Sequence, residues 1–343
     1  MDRSQKKLSI LSLQYHCYPD EVGGAWGLTY EINKRLVSRG HEVYQITCKS
    51  SENQSSQEVI DGIRYYRVSL RESKAILPLW NAIRKKIKTI LKLETIQLIH
   101  IHNPLIGFLV LLQPSLWKIT KVYHFHSSWF DEERINAGGI ARIPLKLKLR
   151  LEMIRIMEWV CYRFSKTLLF LSEYSKIRFT DYYSLSNPNL VIIPGGVDLK
   201  GFHPLKPEEN KKSILEKLNL KKDVPLILTV RRLEERMGLE NLILAVEILL
   251  KKNPAKIFQL AMVGKGSLKQ RLEDLIAEKK LSDTVHLTGL VPKKTLPLYF
   301  RVADLFVLPT TAIEGFGLVT VEAFASGLPV MGTPVGATKE ILA

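Results

Sequence analysis

Two carboxylates, Glu314 and Glu322, mark the densest grouping of chemistry-bearing residues in the chain: P-T-T-A-I-E-G-F-G-L-V-T-V-E-A-F-A-S-G-L-P-V-M-G-T-P, from Pro309 to Pro334. Gly315 and Gly317 bracket Phe316 between them. Glycines just ahead of a helix let the backbone approach a ligand closely, with free N–H groups and the positive end of the helix dipole facing it. That is a site for an anion. A carboxylate on either side accepts hydrogen bonds from hydroxyls, which suits a sugar or a ribose. Glu314 also reads as a loop charge, and Glu322 as a charge favoured near a helix N-terminus. That plainer account leaves the two glycines and Phe316 unexplained.

Other groups point the same way. Arg231, Arg232 and Arg236 lie close together in one loop. Guanidiniums so placed suit a diphosphate, since each can hold two oxygens at once; the other reading is a solvated loop in which Glu234 and Glu235 pair with them. His126 ends V-Y-H-F-H and suits a polar or proton-handling role at a strand end. His124 shares its face, but neither has the nearby carboxylate or cysteine that a metal site would add. His100 and His102 form a similar pair on the preceding strand and read as structural. Gly23 with Gly24, and Gly264 in V-G-K-G-S, repeat the strand, glycine, helix order of a phosphate loop, a weak signal in isolation.

The elements that position these groups alternate. Leu305–Leu308 reads as a strand, and Leu318–Ser326 as a helix closed by Gly327 and Pro329. Upstream, strands are expected at 8–13, 42–48, 63–68, 98–102, 121–126, 168–171 and 191–193. Helices are expected at 25–39, 78–93, 105–117 and 142–166, with a Ser/Gln/Glu-rich loop after 48 and Ser172 as an N-cap. After a turn-rich stretch through Gly201, Pro204 and Pro207 the series resumes, with strands at 226–230, 258–263 and 285–287 and helices at 239–252, 267–280 and 293–303. Such alternation predicts α/β architecture: two Rossmann-like, doubly wound parallel-sheet domains, 1–204 and 205–343, facing across a cleft, with ligands at the carboxyl ends of the strands.

A length of 343 residues fits two cores better than one. Cys17, Cys48 and Cys161 are scattered, so neither a disulfide framework nor a zinc site is implied, and a reducing cytosol fits. The basic start has an apolar part only of strand length, unlike a signal peptide, and no apolar run approaches the ~20 residues of a membrane span. The net charge of +16 is uneven, with 29 basic and 18 acidic residues through Lys200. A positive field attracts phosphates, nucleic acid and anionic lipid alike; no zinc finger or RNA-recognition signature supports a nucleic-acid partner. The helix expected at 142–166 is basic and apolar in alternation, and reads either as an amphipathic helix on an anionic membrane surface or as a packed helix with a solvated face.

Collectively the chain resembles the retaining glycosyltransferases of family 4, with the GT-B architecture. The resemblance rests on Gly23 and Gly24 with the helix ending R-G-H-E-V, His126, P-G-G-V-D-L-K-G-F, Arg232 in R-R-L, G-K-G, and above all E-G-F-G-L-V-T-V-E-A-F-A-S-G-L-P-V. It implies transfer of a sugar from a nucleotide-sugar donor, UDP- or GDP-linked, to the hydroxyl of a glycan or lipid-linked acceptor. Anomeric configuration is retained, and neither a metal nor another cofactor is needed. On that pattern the second domain holds the donor: Glu322 the ribose, the amides of Leu318 and Val319 the diphosphate, Glu314 the transferred sugar and Arg232 the leaving phosphate. His126 faces the reacting sugar. Gly23, Gly24, Gly264, Gly315, Phe316 and Gly317 complete the donor-binding set. The family places a lysine where this chain has Met237, and Arg236 is the expected substitute. Members continue beyond E-I-L, so an incomplete C-terminal domain is expected. The rival readings are a nucleotide-sugar epimerase of the same fold and a nucleotide-sugar binder without activity. The basic first domain suggests a cytoplasmic protein, peripheral on the inner face of a membrane.

Overall fold

The computed structural model describes residues 6–69, 76–136, 144–185, 188–255 and 257–343. Two compact units divide between Ile193 and Pro194, ahead of the boundary expected near residue 204. The reason is packing: the P-G-G turn and the turns after it belong to the second unit. Gly195 lies under Leu318 and Phe316, Phe202 packs edge-on against Phe300, and Arg301 donates to the Gly201 carbonyl at 3.0 Å.

The first unit runs β1 (Ser9–Leu13), α1 (Gly24–Ser38), β2 (Glu42–Cys48), β3 (Gln57–Ile60), β4 (Ile63–Val68), α2 (Ile76–Leu93), β5 (Leu98–Ile101), α3 (Pro104–Leu111), β6 (Thr120–Phe125), α4 (Trp129–Asn136), α5 (Leu145–Arg163), β7 (Thr167–Phe170), α6 (Glu173–Tyr182) and β8 (Asn189–Ile192). Its sheet has the order β3-β4-β2-β1-β5-β6-β7-β8. Every pairing is parallel except β3 with β4. The central strands β1, β2 and β5 are almost wholly buried, as parallel strands covered on both faces are. The edges β3 and β8 are exposed, and strand order reverses between β1 and β5, where such sheets bind ligands.

Local chemistry explains the departures from expectation. β3 lies in the polar stretch read as a loop; Asp61 and Gly62, with φ of 48° and 78°, make the tight hairpin turn that D-G favours. The helix expected through Trp117 ends at Leu111, because Pro114 removes a backbone donor. Ser172 caps α6 as expected, its side chain accepting from the Ser175 amide at 3.0 Å. The first residues of the helix expected at 142–166 lie outside the described residues, as do the first five of the chain, where the basic start was read.

The second unit runs α7 (Lys211–Lys217), β9 (Leu226–Val230), α8 (Leu239–Lys252), β10 (Gln259–Val263), α9 (Lys269–Glu278), β11 (Val285–Gly289), α10 (Leu296–Val302), β12 (Leu305–Leu308), α11 (Leu318–Ala325), β13 (Val330–Gly332) and α12 (Thr338–Leu342). The sheet order β11-β10-β9-β12-β13, all parallel, is that of a doubly wound Rossmann half, with its switch point between β9 and β12. Buried side chains on both faces of this sheet form two cores, one holding Phe300, Phe306 and Leu308, the other Ile243, Leu260 and Leu272.

Candidate active site

The switch point brings the loops after β9 and β12 side by side. Gly238 makes this possible: its φ is 68°, and a Cβ there would stand 1.9 Å from the Pro309 carbonyl oxygen. A Cβ at Gly264, after β10, would likewise stand 1.8 Å from the Arg231 carbonyl oxygen. Only glycine backbones let these loops pass so closely.

Arg231, at the end of β9, donates from Nη2 to Glu314 Oε2 at 2.6 Å and to Thr310 Oγ1 at 2.8 Å. Thr310 donates in turn to the same carboxylate oxygen at 3.1 Å. Both side chains of the ion pair are nearly buried, 8% and 10% exposed, so the carboxylate is fixed in place. Arg232, the residue expected at this position, is exposed. Arg236 is buried and donates to the Ile313 carbonyl at 2.8 Å, while its own carbonyl accepts from the Thr311 amide at 2.9 Å. It therefore clamps the loop that leads to Glu314.

Gly317, with φ of 81°, turns the chain into α11, and the amides of Leu318 and Val319 open the helix with no intrahelical acceptor before them. Phe316 is buried with its ring over Gly195; it packs the turn rather than presenting a face to solvent. Gly315 is half-buried between it and Glu314. Glu322 lies one turn into α11. Its Oε2 is buried without a hydrogen-bond partner, as are Oγ1 of Thr320 and Nε of Arg231. Native structures leave few such atoms unsatisfied; two of the three lie in the first turns of α11 and the third follows β9. Burial pushes the Glu322 carboxyl up to about 8, with the charge of Lys293 pulling the other way.

In the first unit, β5 and β6, each with the residue that follows it, carry four histidines. Nδ1 of His102 and Nε2 of His126 are 3.2 Å apart, and the His124 and His126 rings stack with centroids 4.6 Å apart. Burial, first among the causes, pushes His100 down to about 3 and His124 to about 4, and holds His102 and His126 well below the usual imidazole range. All four are neutral near pH 7. His100, His102 and His124 offer nitrogens within 4.8 Å of one another, the one trio among the described residues with ligand types for a transition metal. A tetrahedral ion held at about 2.0–2.1 Å from each would draw those nitrogens closer together.

The turn after His126 is anchored from α5. Glu158, fully buried, accepts from the Trp129 amide at 2.6 Å, from Ser128 at 3.1 Å and from the Tyr183 hydroxyl at 2.6 Å. Gly23 precedes α1 in extended conformation, where a Cβ would meet the Trp26 ring at 2.8 Å; Gly24 is exposed with open space around it. The loop that leads to them is tied by a buried bidentate pair, Arg67 with Asp20, at 2.6 and 2.8 Å.

Sequence reasoning missed Thr310 and Glu158, took Arg231 only as one of three guanidiniums beside Arg232, and read His102 as structural. Each is defined by a partner distant in sequence, and Glu314 is 83 residues from Arg231. The nearest local signal was the D-x-x-x-x-P-T-T order of a strand end for Thr310; for Glu158 there was none.

The profile described as Glycosyltransferase Family 4 matches residues 22–200, and that described as Glycosyl transferases group 1 matches residues 210–343. An alpha-monoglucosyldiacylglycerol synthase of Acholeplasma laidlawii is 27% identical over 318 residues, covering 90% of this chain and 76% of its own. Sucrose-phosphate synthase from Thermosynechococcus elongatus superposes with a TM-score of 0.79 at 21% identity, over 98% of this chain and 84% of that one. The HepE protein of Anabaena, in complex with UDP and glucose, gives 0.75 at 18% identity, over 98% and 83%. At these identities the structural likeness is one of fold. The family matches span both halves of the chain, and with two Rossmann-like α/β units in tandem they lead to one conclusion: the chain is a GT-B glycosyltransferase and belongs to family 4, the glycosyl transferases of group 1.

Proposed function

We propose that this glycosyltransferase uses a nucleoside-diphosphate sugar, takes UDP or GDP as the leaving group, and retains configuration at the anomeric carbon. The observation that carries the reading is the buried, unpartnered Oε2 of Glu322 beside the amide end of α11. Ribose hydroxyls donate to Glu322. The amides of Leu318 and Val319 hold the diphosphate, and Glu314, fixed by Arg231 and Thr310, accepts from a hydroxyl of the transferred sugar. When the anomeric C–O bond breaks, its electron pair leaves with the phosphate oxygen, so fixed amides and guanidiniums near that oxygen favour the transition state most. Arg231 and Arg232 supply that charge, and the transfer step needs no metal. Arg236 acts by holding the loop. His126, neutral, is the group assigned to the reacting sugar.

The acceptor is a glycan or lipid-linked sugar at the cytoplasmic face of a membrane. The UDP and glucose in the Anabaena structure and the lipid named for the A. laidlawii relative support these choices. No helix among the described residues is long and apolar enough to cross a membrane. The test is incubation with a panel of nucleotide sugars, reading nucleoside diphosphate release and the anomeric configuration of the product by NMR. Release from one donor class with retention is expected. Failure of every donor to be consumed, or an inverted product, overturns the reading.

A further inference from the structure

α5 has two apolar faces. Leu151, Ile154, Met157, Cys161 and Tyr162 are buried on one, at the three- and four-residue spacing that keeps them together. On the other, Leu145, Leu149, Met153, Ile156 and Trp159 are 72, 61, 50, 57 and 45% exposed. At about 100° per residue these five fall in a stripe roughly 120° wide, opposite the buried face. Placed by the same rotation, Lys146 borders the stripe on one side and Lys148 and Arg155 on the other, all three exposed, while Arg150 turns further round the helix and pairs with Glu133 at 2.9 Å. Arg163 lies at the C-terminal end of the stripe, and the single exposed acid of the helix, Glu152, falls by the same rotation inside it, between Trp159 and Leu145, where it lines the groove described next. An open groove of ≈ 400 Å³ beside the stripe is lined in part by Arg155, Trp159 and Tyr182.

A helix with hydrocarbon along its outer face and cations on both edges matches the boundary between headgroups and acyl chains of an anionic bilayer. Trp159 suits that depth, where an amphipathic ring is favoured. A second copy of the same face suits it less, because an isologous contact sets cationic edges against each other. We propose that α5 is the surface by which this chain lies on an anionic membrane, with Leu145, Leu149, Met153, Ile156 and Trp159 below the headgroups and the flanking cations at phosphate level. The inference extends the lipid-side acceptor reading, but its test needs no donor, so loss of docking and loss of transfer are read separately.

The experiment is cosedimentation of the full chain with vesicles of phosphatidylglycerol and phosphatidylcholine, against vesicles of phosphatidylcholine alone. Wild type is compared with Leu149→Ser/Ile156→Ser, Lys146→Glu/Lys148→Glu, Trp159→Phe and, on α2, Arg84→Glu/Lys88→Glu. Exposed positions carry these changes, and thermal melting confirms that all fold. Wild type binds the anionic vesicles, less so as salt rises. Each lost cation weakens partitioning about fivefold, and reversal more. Trp159 emission shifts to the blue on binding, and the shift disappears in Trp159→Phe. The proposal is overturned if wild type ignores anionic vesicles, if the variants bind as wild type does, if only Arg84→Glu/Lys88→Glu on α2 abolishes binding, or if the serine variant alters oligomeric state but not vesicle binding.

Discussion

Replacing Glu322 with Gln keeps the shape of a buried side chain and removes its titration. The carboxyl is pushed from 4.5 in the unfolded chain up to about 8 in the folded one. Between those values the folded protein keeps a proton that the unfolded chain has released. Stability is therefore full below about pH 4.5 and is lost as pH rises through 8, by ~1.4 kcal/mol per pH unit. Over the whole window that is ~5 kcal/mol as an upper bound; relaxation and water entry at the charged group leave roughly 2–3 kcal/mol. Gln carries no such penalty. Wild type and Glu322→Gln should melt together at pH 5, and the variant should melt higher at pH 8, by roughly 5–10 °C at ~2–4 °C per kcal/mol. Nucleotide affinity should do the reverse. Hydroxyls that donate to the carboxylate favour its ionised form, so wild-type affinity climbs between pH 6 and 8 while that of the variant stays low and flat. Urea unfolding and calorimetric titration at four pH values measure both. A stability difference independent of pH, or a variant less stable at pH 8, would refute the reasoning.

Two further outcomes follow from the same geometry. Arg231→Met and Glu314→Gln should each cost about 3 kcal/mol by stranding a nearly buried charge or acceptor, while the double variant costs much less than the two together; additive losses in urea unfolding would mean that the pair is not coupled. Since burial holds His126 neutral well above its own titration, kcat/KM should show no imidazole limb between pH 6 and 7, although His126→Ala lowers turnover about a hundredfold. A limb near 6.5 that the His126→Ala change removes from residual activity would contradict the neutral assignment.

The parts of the site that sequence made legible are those set by local chemistry. Leu305–Leu308 is a strand within the expected bounds, and α11 begins at the expected Leu318, because an apolar run ending in proline and a glycine ahead of a helix are short-range signals. Glu314 and Glu322 fall on either side of the helix entrance for the same reason. Which guanidinium turns inward is another matter. Arg231 and Arg232 are adjacent, and neighbouring side chains at a strand end point apart; the choice is made by Glu314 and Thr310, far along the chain. The histidines behave likewise. Alternation along β5 and β6 put each pair on one face, but only the parallel pairing of those strands brings His102 against His126. Phe316 had the spacing of a ligand contact and proved to be the cover of Gly195, a partner no local pattern announces. The outer stripe of α5 was blurred by its K-L-K-L-R-L start, which hides a helical period until the buried face is known.

The central claim is that the buried carboxylate of Glu322 receives the ribose of a nucleotide donor. Calorimetric titration with UDP and GDP, each beside its 2′,3′-dideoxy analogue, tests it directly. The account predicts that one of the two binds, and that removing its ribose hydroxyls weakens binding about tenfold or more, because a buried acceptor is left unsatisfied, with no such loss in Glu322→Ala. Equal affinity of the nucleotide and its dideoxy analogue for the wild-type chain would contradict it.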